Sequence, residues 1–311
     1  MKRLQNRIAE NGIMLPVMVV YALAIWLLSN MIANNWWPQL VCYAATAYLM
    51  VEMSNHHTLL RVRSRMVSCT FIMLTCMLSP LFGSLTNGLT LLFWTAAILT
   101  LFSTYQDTQA VGRVFYAFVF LSAASIVFIQ SLWLVPVVWL LMRTQLQSLS
   151  WRTWLASIIG LLAPYWFFTL WFIYTNDLTP LCTHFMGLRE IRFTFDYSAW
   201  RPSLFAAYLL ALILTLTGII HFWNRSFENK IRTRMLYGFF TIMSLLLFVL
   251  TALLPQYYDP LMRLTILFAC PLVAHLGTFT SSRISNILFF VTLALLATIT
   301  VLNLWTPSST Y

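Results

Sequence analysis

Charge is scarce in this chain: 18 basic and eight acidic side chains stand among 311 residues, 8% of the total. A water-facing domain usually carries about 25%. With so few charges a globule of this length could not cover its own apolar surface, which excludes a soluble fold. Nine glycines and 11 prolines exclude collagen-like and low-complexity chains. Five cysteines exclude a disulfide scaffold, because Cys42, Cys69, Cys76 and Cys270 lie inside apolar stretches and leave Cys182 as the one thiol in a polar loop. What is abundant is apolar side chain, 60% of residues with a mean hydropathy of +0.80. This is the composition of an integral membrane protein. The net charge of +10 does not signal nucleic acid, since the basic residues are scattered as short clusters between apolar runs.

A helix needs roughly 20 apolar residues to cross the hydrocarbon layer, where only a helix satisfies its own backbone. Eleven such segments are expected, at about 13–33, 37–53, 66–82, 88–103, 114–130, 131–147, 153–175, 203–223, 235–254, 264–280 and 286–305. The expected fold is therefore an all-α polytopic transmembrane bundle, one domain over residues 1–311, with an extracytoplasmic loop at about 176–202. The first segment lacks a small-x-small cleavage pattern and reads as an uncleaved anchor. The uncertain stretch is Val114 to Met142, one long helix or two, which gives ten or 11 spans. Gln130, Ser131 and Pro136 interrupt it. With two helices, 14 of the 18 Lys and Arg residues fall on one side, whereas one helix leaves 11 against seven. The positive-inside rule selects two, with the amino terminus inside and the carboxyl terminus outside. The five-residue echo between Val62–Met66 and Ile231–Met235 would suit a parallel repeat, or two unrelated basic stops before a helix.

Several chemistries lack their residues. Gly83 and Gly88 have P-loop spacing, but Leu89 and Thr90 follow where a lysine and a hydroxyl must hold phosphate and magnesium. No paired-histidine zinc helix, C-x-x-C or G-x-S-x-G occurs, so neither a metal nor a cofactor is expected. Ion-coupled transport would need carboxylates at membrane depth. Of the eight acids only Glu52 touches an apolar segment, at its inner end near Arg61, Arg63 and Arg65. His275 is the deepest titratable side chain, four residues after Pro271, and a neutral imidazole hydrogen-bonded to a neighbouring helix is the expected state.

The longest polar segment runs from Asn176 to Pro202. Within it Ile191, Phe193, Phe195 and Tyr197 alternate with Arg192, Thr194 and Asp196, the period of an extended surface strand. Arg189, Glu190, Arg192 and Asp196, together with His275, are the candidate ligand-binding residues: arginines for a lipid phosphate or pyrophosphate, carboxylates for a base. On the opposite side, Arg61, Arg63 and Arg65 and Lys230, Arg232 and Arg234 form clusters that would attract anionic lipid by about 1 kcal/mol per charge.

The runs Leu59-Leu60-Arg61, Phe71-Ile72-Met73-Leu74, Gly112-Arg113-Val114-Phe115-Tyr116-Ala117-Phe118, Trp151-Arg152-Thr153-Trp154 and Gly160-Leu161-Leu162-Ala163-Pro164 resemble an uncharacterised family of polytopic inner-membrane proteins of the Bacteroidota. The resemblance covers about residues 56–168 and implies an inner-membrane location, with no activity to carry over. Two function classes are open. One is a non-enzymatic membrane component, or a binder of lipid or a small molecule. The other is a polyprenyl-linked glycosyltransferase with an external active site, although the first outer loop offers Asn34, Asn35, Trp36 and Trp37 in place of an acid.

Overall fold

Long apolar runs bounded by turn residues and prolines become helices, and among the described residues helices are the only regular structure. The computed structural model describes residues 11–62, 64–189, 196–198, 200–280 and 283–305, residues 283 and 284 by backbone alone. Among them are twelve α-helices and no strand. These are α1 (Met14–Leu28), α2 (Trp37–His56), α3 (Met66–Cys76), α4 (Leu85–Phe102), α5 (Val111–Val127), α6 (Val135–Leu141), α7 (Trp151–Tyr174), α8 (Thr179–Met186), α9 (Pro202–Asn224), α10 (Ile231–Leu253), α11 (Tyr258–Phe279) and α12 (Arg283–Trp305). The chain divides into two compact units, Met1–Leu85 with Phe195–Tyr311, and Thr86–Thr194.

In the first unit the core is α3 and α11. α3 is apolar all round, and of its 11 residues only Met73 is not fully buried. At about 1.5 Å per residue it is roughly 16 Å long, half the hydrocarbon thickness. A short 3-10 turn, Ser79–Leu81, extends it. Its exposed carbonyls find partners on other helices: Asn303 Nδ2 of α12 donates to Met77 O at 2.7 Å, and Arg263 Nη2 of α11 donates to Leu81 O. α11 crosses α9 at Gly218, where a Cβ would lie 2.8 Å from Leu272 O. Pro271 removes the N–H that would bond Leu267 O, and the Cys270 thiol donates to that carbonyl instead, at 3.2 Å.

The second unit is organised by α5 against α7. Gly160 allows the approach, since a Cβ there would come within 2.6 Å of Phe115 O. Small residues flank the contact: Ser122 Oγ donates to Leu161 O at 2.7 Å, and the Ser125 and Tyr165 hydroxyls pair at 2.8 Å. This is the close packing of membrane helices, which compensates for the lack of a hydrophobic force between them in lipid. A capping box starts α7: Thr153 N donates to Ser150 Oγ at 3.3 Å, and Ser150 N to Thr153 Oγ1 at 2.7 Å.

The stretch left open between one helix and two is broken. Phe128 is extended (φ −136°, ψ 93°), the 3-10 segment Ile129–Leu134 holds buried Gln130 and Ser131, and Pro136 sits in the first turn of α6. All eleven expected segments have helical counterparts. Among the described residues, seven helical stretches are long and apolar enough to cross a membrane: Leu85–Phe102, Ile129–Leu146, Trp151–Tyr174, Pro202–Asn224, Ile231–Leu253, Pro255–Phe279 and Ser285–Trp305. α1, α3 and α5 fall short in length, while Gln39, Glu52, Asn55 and His56 dilute the apolar character of α2. Two boundaries move. α11 begins at Tyr258, so Asp259 and Arg263, expected in a loop, form an i,i+4 ion pair at 2.6 Å inside the helix. α10 begins at Ile231, which puts Arg232 and Arg234 in its first turn, whereas Arg65 precedes α3. The two halves of the five-residue echo therefore occupy different helix positions.

The outward residues of α7, including Trp166, Phe167, Trp171 and Tyr174, are more than 60% exposed. A water-soluble protein does not present such a face; the chain is a helical membrane protein.

Gly160→Ala is expected to lower the thermal midpoint in detergent by several degrees, because the new methyl must displace backbone at a cost of about 1–3 kcal/mol. Gly112→Ala in α5, with open space around it, is the control and leaves the midpoint unchanged or raises it. A thiol-reactive unfolding assay reads both.

Candidate functional site

At one end of the first unit the loop joining α2 to α3 meets the loop joining α9 to α10. Thr58 turns the first loop with a left-handed backbone (φ 46°), and Lys230, extended at ψ 150°, ends the second at the start of α10. Between them is a cavity of about 740 Å³ whose wall includes Asn55, Thr58, Arg61, Arg65, Glu228 and Lys230. Three cations thus face one carboxylate. The positive end of α3 begins at the same place, immediately after Arg65.

Arg61 organises the cavity. Its Nη2 donates to Glu228 Oε2 at 2.7 Å, its Nη1 donates to Glu228 O at 3.4 Å, and its guanidinium lies 4.6 Å from the centre of the Phe279 ring. Both partners of the ion pair are about one-third exposed. Beside them Arg232 donates to Nδ1 of the buried His57 at 3.1 Å, so that nitrogen carries no proton. Of the residues expected to attract anionic lipid, Arg61, Arg65 and Lys230 line this cavity. Arg232 is engaged with His57, Arg234 is half-buried in α10, and Arg63 lies outside the described residues.

Behind Phe279 stand two histidines, His221 on α9 and His275 on α11, with ring centres 5.4 Å apart. His275 is 1% exposed and packed against Phe222, Tyr237 and Phe279 at 4.9, 5.5 and 4.6 Å. Among the described residues the hydrogen bond expected for His275 is not formed, and none of the four ring nitrogens of the pair has a partner. The reason is local: the neighbours are aromatic rings, and the hydroxyl of one of them, Tyr237, donates to Pro271 O at 3.3 Å.

The loop at 176–202 is divided between the two units. Arg189, in the second, ends a 3-10 turn (Gly187–Arg189) and is exposed. Asp196, in the first, is exposed and accepts from Ser198 N at 2.9 Å, which holds its carboxyl below the usual carboxylate range. The Asp177 carboxylate accepts from Thr179 N at 3.0 Å. Glu190 and Arg192 lie outside the described residues, as does most of the expected strand at 191–197. The sequence reading missed α8. Pro180 in its first turn and the apolar pair Leu181 and Phe185, four apart, are the signals that mark it. The His184 imidazole of α8 faces the Tyr165 hydroxyl at 3.4 Å, and burial lowers its pKa. Among the described residues no three His, Cys, Asp or Glu side chains gather in a metal-binding group. The chain matches no known family, no characterised protein and no solved structure.

Two expectations follow. Replacing a buried imidazole that has no partner with an apolar ring is neutral or stabilising, so His275→Phe keeps or raises the thermal midpoint; a fall of more than about 5 °C would mean that its nitrogens are in use. His184 has a folded-state pKa below its unfolded value of about 6.5. The unfolded chain therefore takes up the proton first, and the stability held above pH 6.5 is lost as the pH falls through that value. Midpoints measured from pH 7.5 to 5.5 are expected to fall less steeply in His184→Gln than in the parent.

Proposed function

We propose that this chain is a multi-pass inner-membrane protein, non-enzymatic in itself, that holds an anionic lipid headgroup in the cavity between the α2–α3 and α9–α10 loops. The observation that carries the reading is the lining: Arg61, Arg65 and Lys230 converge from segments more than 160 residues apart, against Glu228 as the one acid among the described residues of the wall. Guanidinium groups are suited to the planar, bidentate recognition of phosphate oxygens. The positive-inside rule supports a cytoplasmic location for this end, where anionic headgroups give about 1 kcal/mol per basic residue. The runs quoted between residues 56 and 168 are the basis for assigning it to the uncharacterised Bacteroidota family.

The glycosyltransferase reading draws less support. Asp177 and Asp196, the described carboxylates of the outer loop, each accept from a backbone N–H of their own turn, which is what turn-forming aspartates do.

The test is lipid retention by the purified full chain in nanodiscs of phosphatidylcholine doped with phosphatidylglycerol. Phosphatidylglycerol is expected to be enriched over phosphatidylcholine and released by salt. Neutralising Arg61, Arg65 and Lys230 together with glutamine lowers retention by about two orders of magnitude. Arg152→Gln, in the second unit, changes nothing. Glu228→Gln strengthens retention severalfold, because it frees Arg61 from its internal carboxylate. Equal retention of the two lipids would overturn the reading.

A further inference from the structure

The first unit contains a second cavity, of about 260 Å³, enclosed by α1, α3, α9, α11 and α12. Its wall is apolar for a specific reason. Three of the hydroxyls that line it are turned back onto their own helices: Thr217 Oγ1 donates to Ile213 O at 3.0 Å, Thr280 Oγ1 to Leu276 O at 2.8 Å and Thr292 Oγ1 to Phe289 O at 2.8 Å. Four methionines, Met14, Met18, Met66 and Met73, supply much of the remainder. Thioether side chains adapt to irregular, flexible occupants. An apolar space of this size does not hold water stably, and left vacant it costs stability in proportion to its volume.

Consecutive residues line the two cavities at two places. Arg65, just before α3, lines the basic cavity and the next residue, Met66, lines the apolar one. On α11, Phe279 lies beneath Arg61 of the basic cavity, and the following Thr280 lines the apolar one. Gly277 lets the Met66 side chain lie close against α11, because a Cβ there would lie 3.1 Å from Met66 Cε. A cationic cavity beside an apolar one has the polarity of one amphiphile, with a phosphate in the first and a hydrocarbon chain in the second.

We propose that the apolar cavity takes a hydrocarbon chain of the same lipid whose phosphate is held by Arg61, Arg65 and Lys230, so that the chain runs down α3 past Met66, Cys69 and Met73. This deepens the function proposed above and rests on it. A headgroup resting on the surface would leave its chains in bulk lipid; here one chain is withdrawn into the protein, which makes the site selective for a phospholipid with a free, flexible tail.

The experiment uses the full chain in phosphatidylcholine nanodiscs with a phosphatidic acid probe carrying a diazirine halfway along one acyl chain. After irradiation, labels are expected on the Met66–Met73 segment and on Phe289. The same chain on a phosphatidylcholine head should label these residues less than one-fifth as strongly. Met73→Trp and Leu293→Phe, which narrow the cavity from opposite sides, are each expected to cut this labelling at least fivefold while leaving the salt-sensitive retention of phosphatidylglycerol intact; that retention also reports that the variants fold. Labels confined to outward residues such as Val20 and Ile220 would overturn the inference while the headgroup reading stands. Equal labelling by the phosphatidylcholine probe, or complete protection by inorganic phosphate at the probe's own concentration, would overturn it too. Loss of both labelling and anionic retention would remove the proposed function with it.

Discussion

Lipid offers no hydrogen bond to a peptide group, and the architecture follows from that constraint. Where the chain is a regular helix the requirement is met within the element. Where it departs from one, a side chain from elsewhere has to supply the partner. The end of α3 is the clearest case: its carbonyls at Met77 and Leu81 are taken by Asn303 and Arg263, residues more than 180 positions away. Pro271 creates a similar demand, met by the Cys270 thiol, and the carbonyl of Pro271 itself is met by Tyr237. A short, almost wholly buried half-helix is possible because α11 and α12 bring these donors to its end.

The same constraint explains the use of hydroxyls. Thr46, Thr75, Thr95, Thr215, Thr251, Thr265 and Thr300 are buried, and each donates to a carbonyl of its own helix one turn earlier. A threonine satisfied in this way is nearly apolar from outside, so helices pack without exposing a demand for water. Between such helices within a unit the driving force is shape, and glycine marks close approaches, Gly160 in the second unit and Gly218 in the first. The exceptions stand out against this background. Among the described residues His221 and His275 have no partner, and the cavity beside them concentrates cations. Polar groups left over after the backbone is satisfied are where a membrane protein has something to bind.

Charge is kept to the ends of the helices, where its desolvation is small. Arg61 is exposed, yet an opposite charge, an aromatic face and a carbonyl surround it, so its position is determined. Such a guanidinium can exchange Glu228 for another anion without rebuilding its surroundings, which is why the pair reads as a site rather than as a structural ion pair.

The helical class, the approximate positions of eleven apolar segments and the break near Gln130 and Ser131 were legible in the residue order, because each depends on local composition or on a proline with no N–H to donate. So were the basic clusters. The helix starts at Tyr258 and Ile231 were not, since a charged residue near a helix end looks like loop until its partner four residues away, or a distant carbonyl, is known. The outer-loop residues attracted attention by polarity alone; Asp177 and Asp196 turn out to brace their own turns, and His275, singled out for its depth, lies among aromatic rings. What the sequence determined was which stretches must leave water and which end of each carries charge. Only the tertiary structure decided that Arg61 meets Glu228 across 167 positions and that Arg65 and Met66 face two different cavities, because convergence of distant segments is set by packing, and no local pattern encodes it.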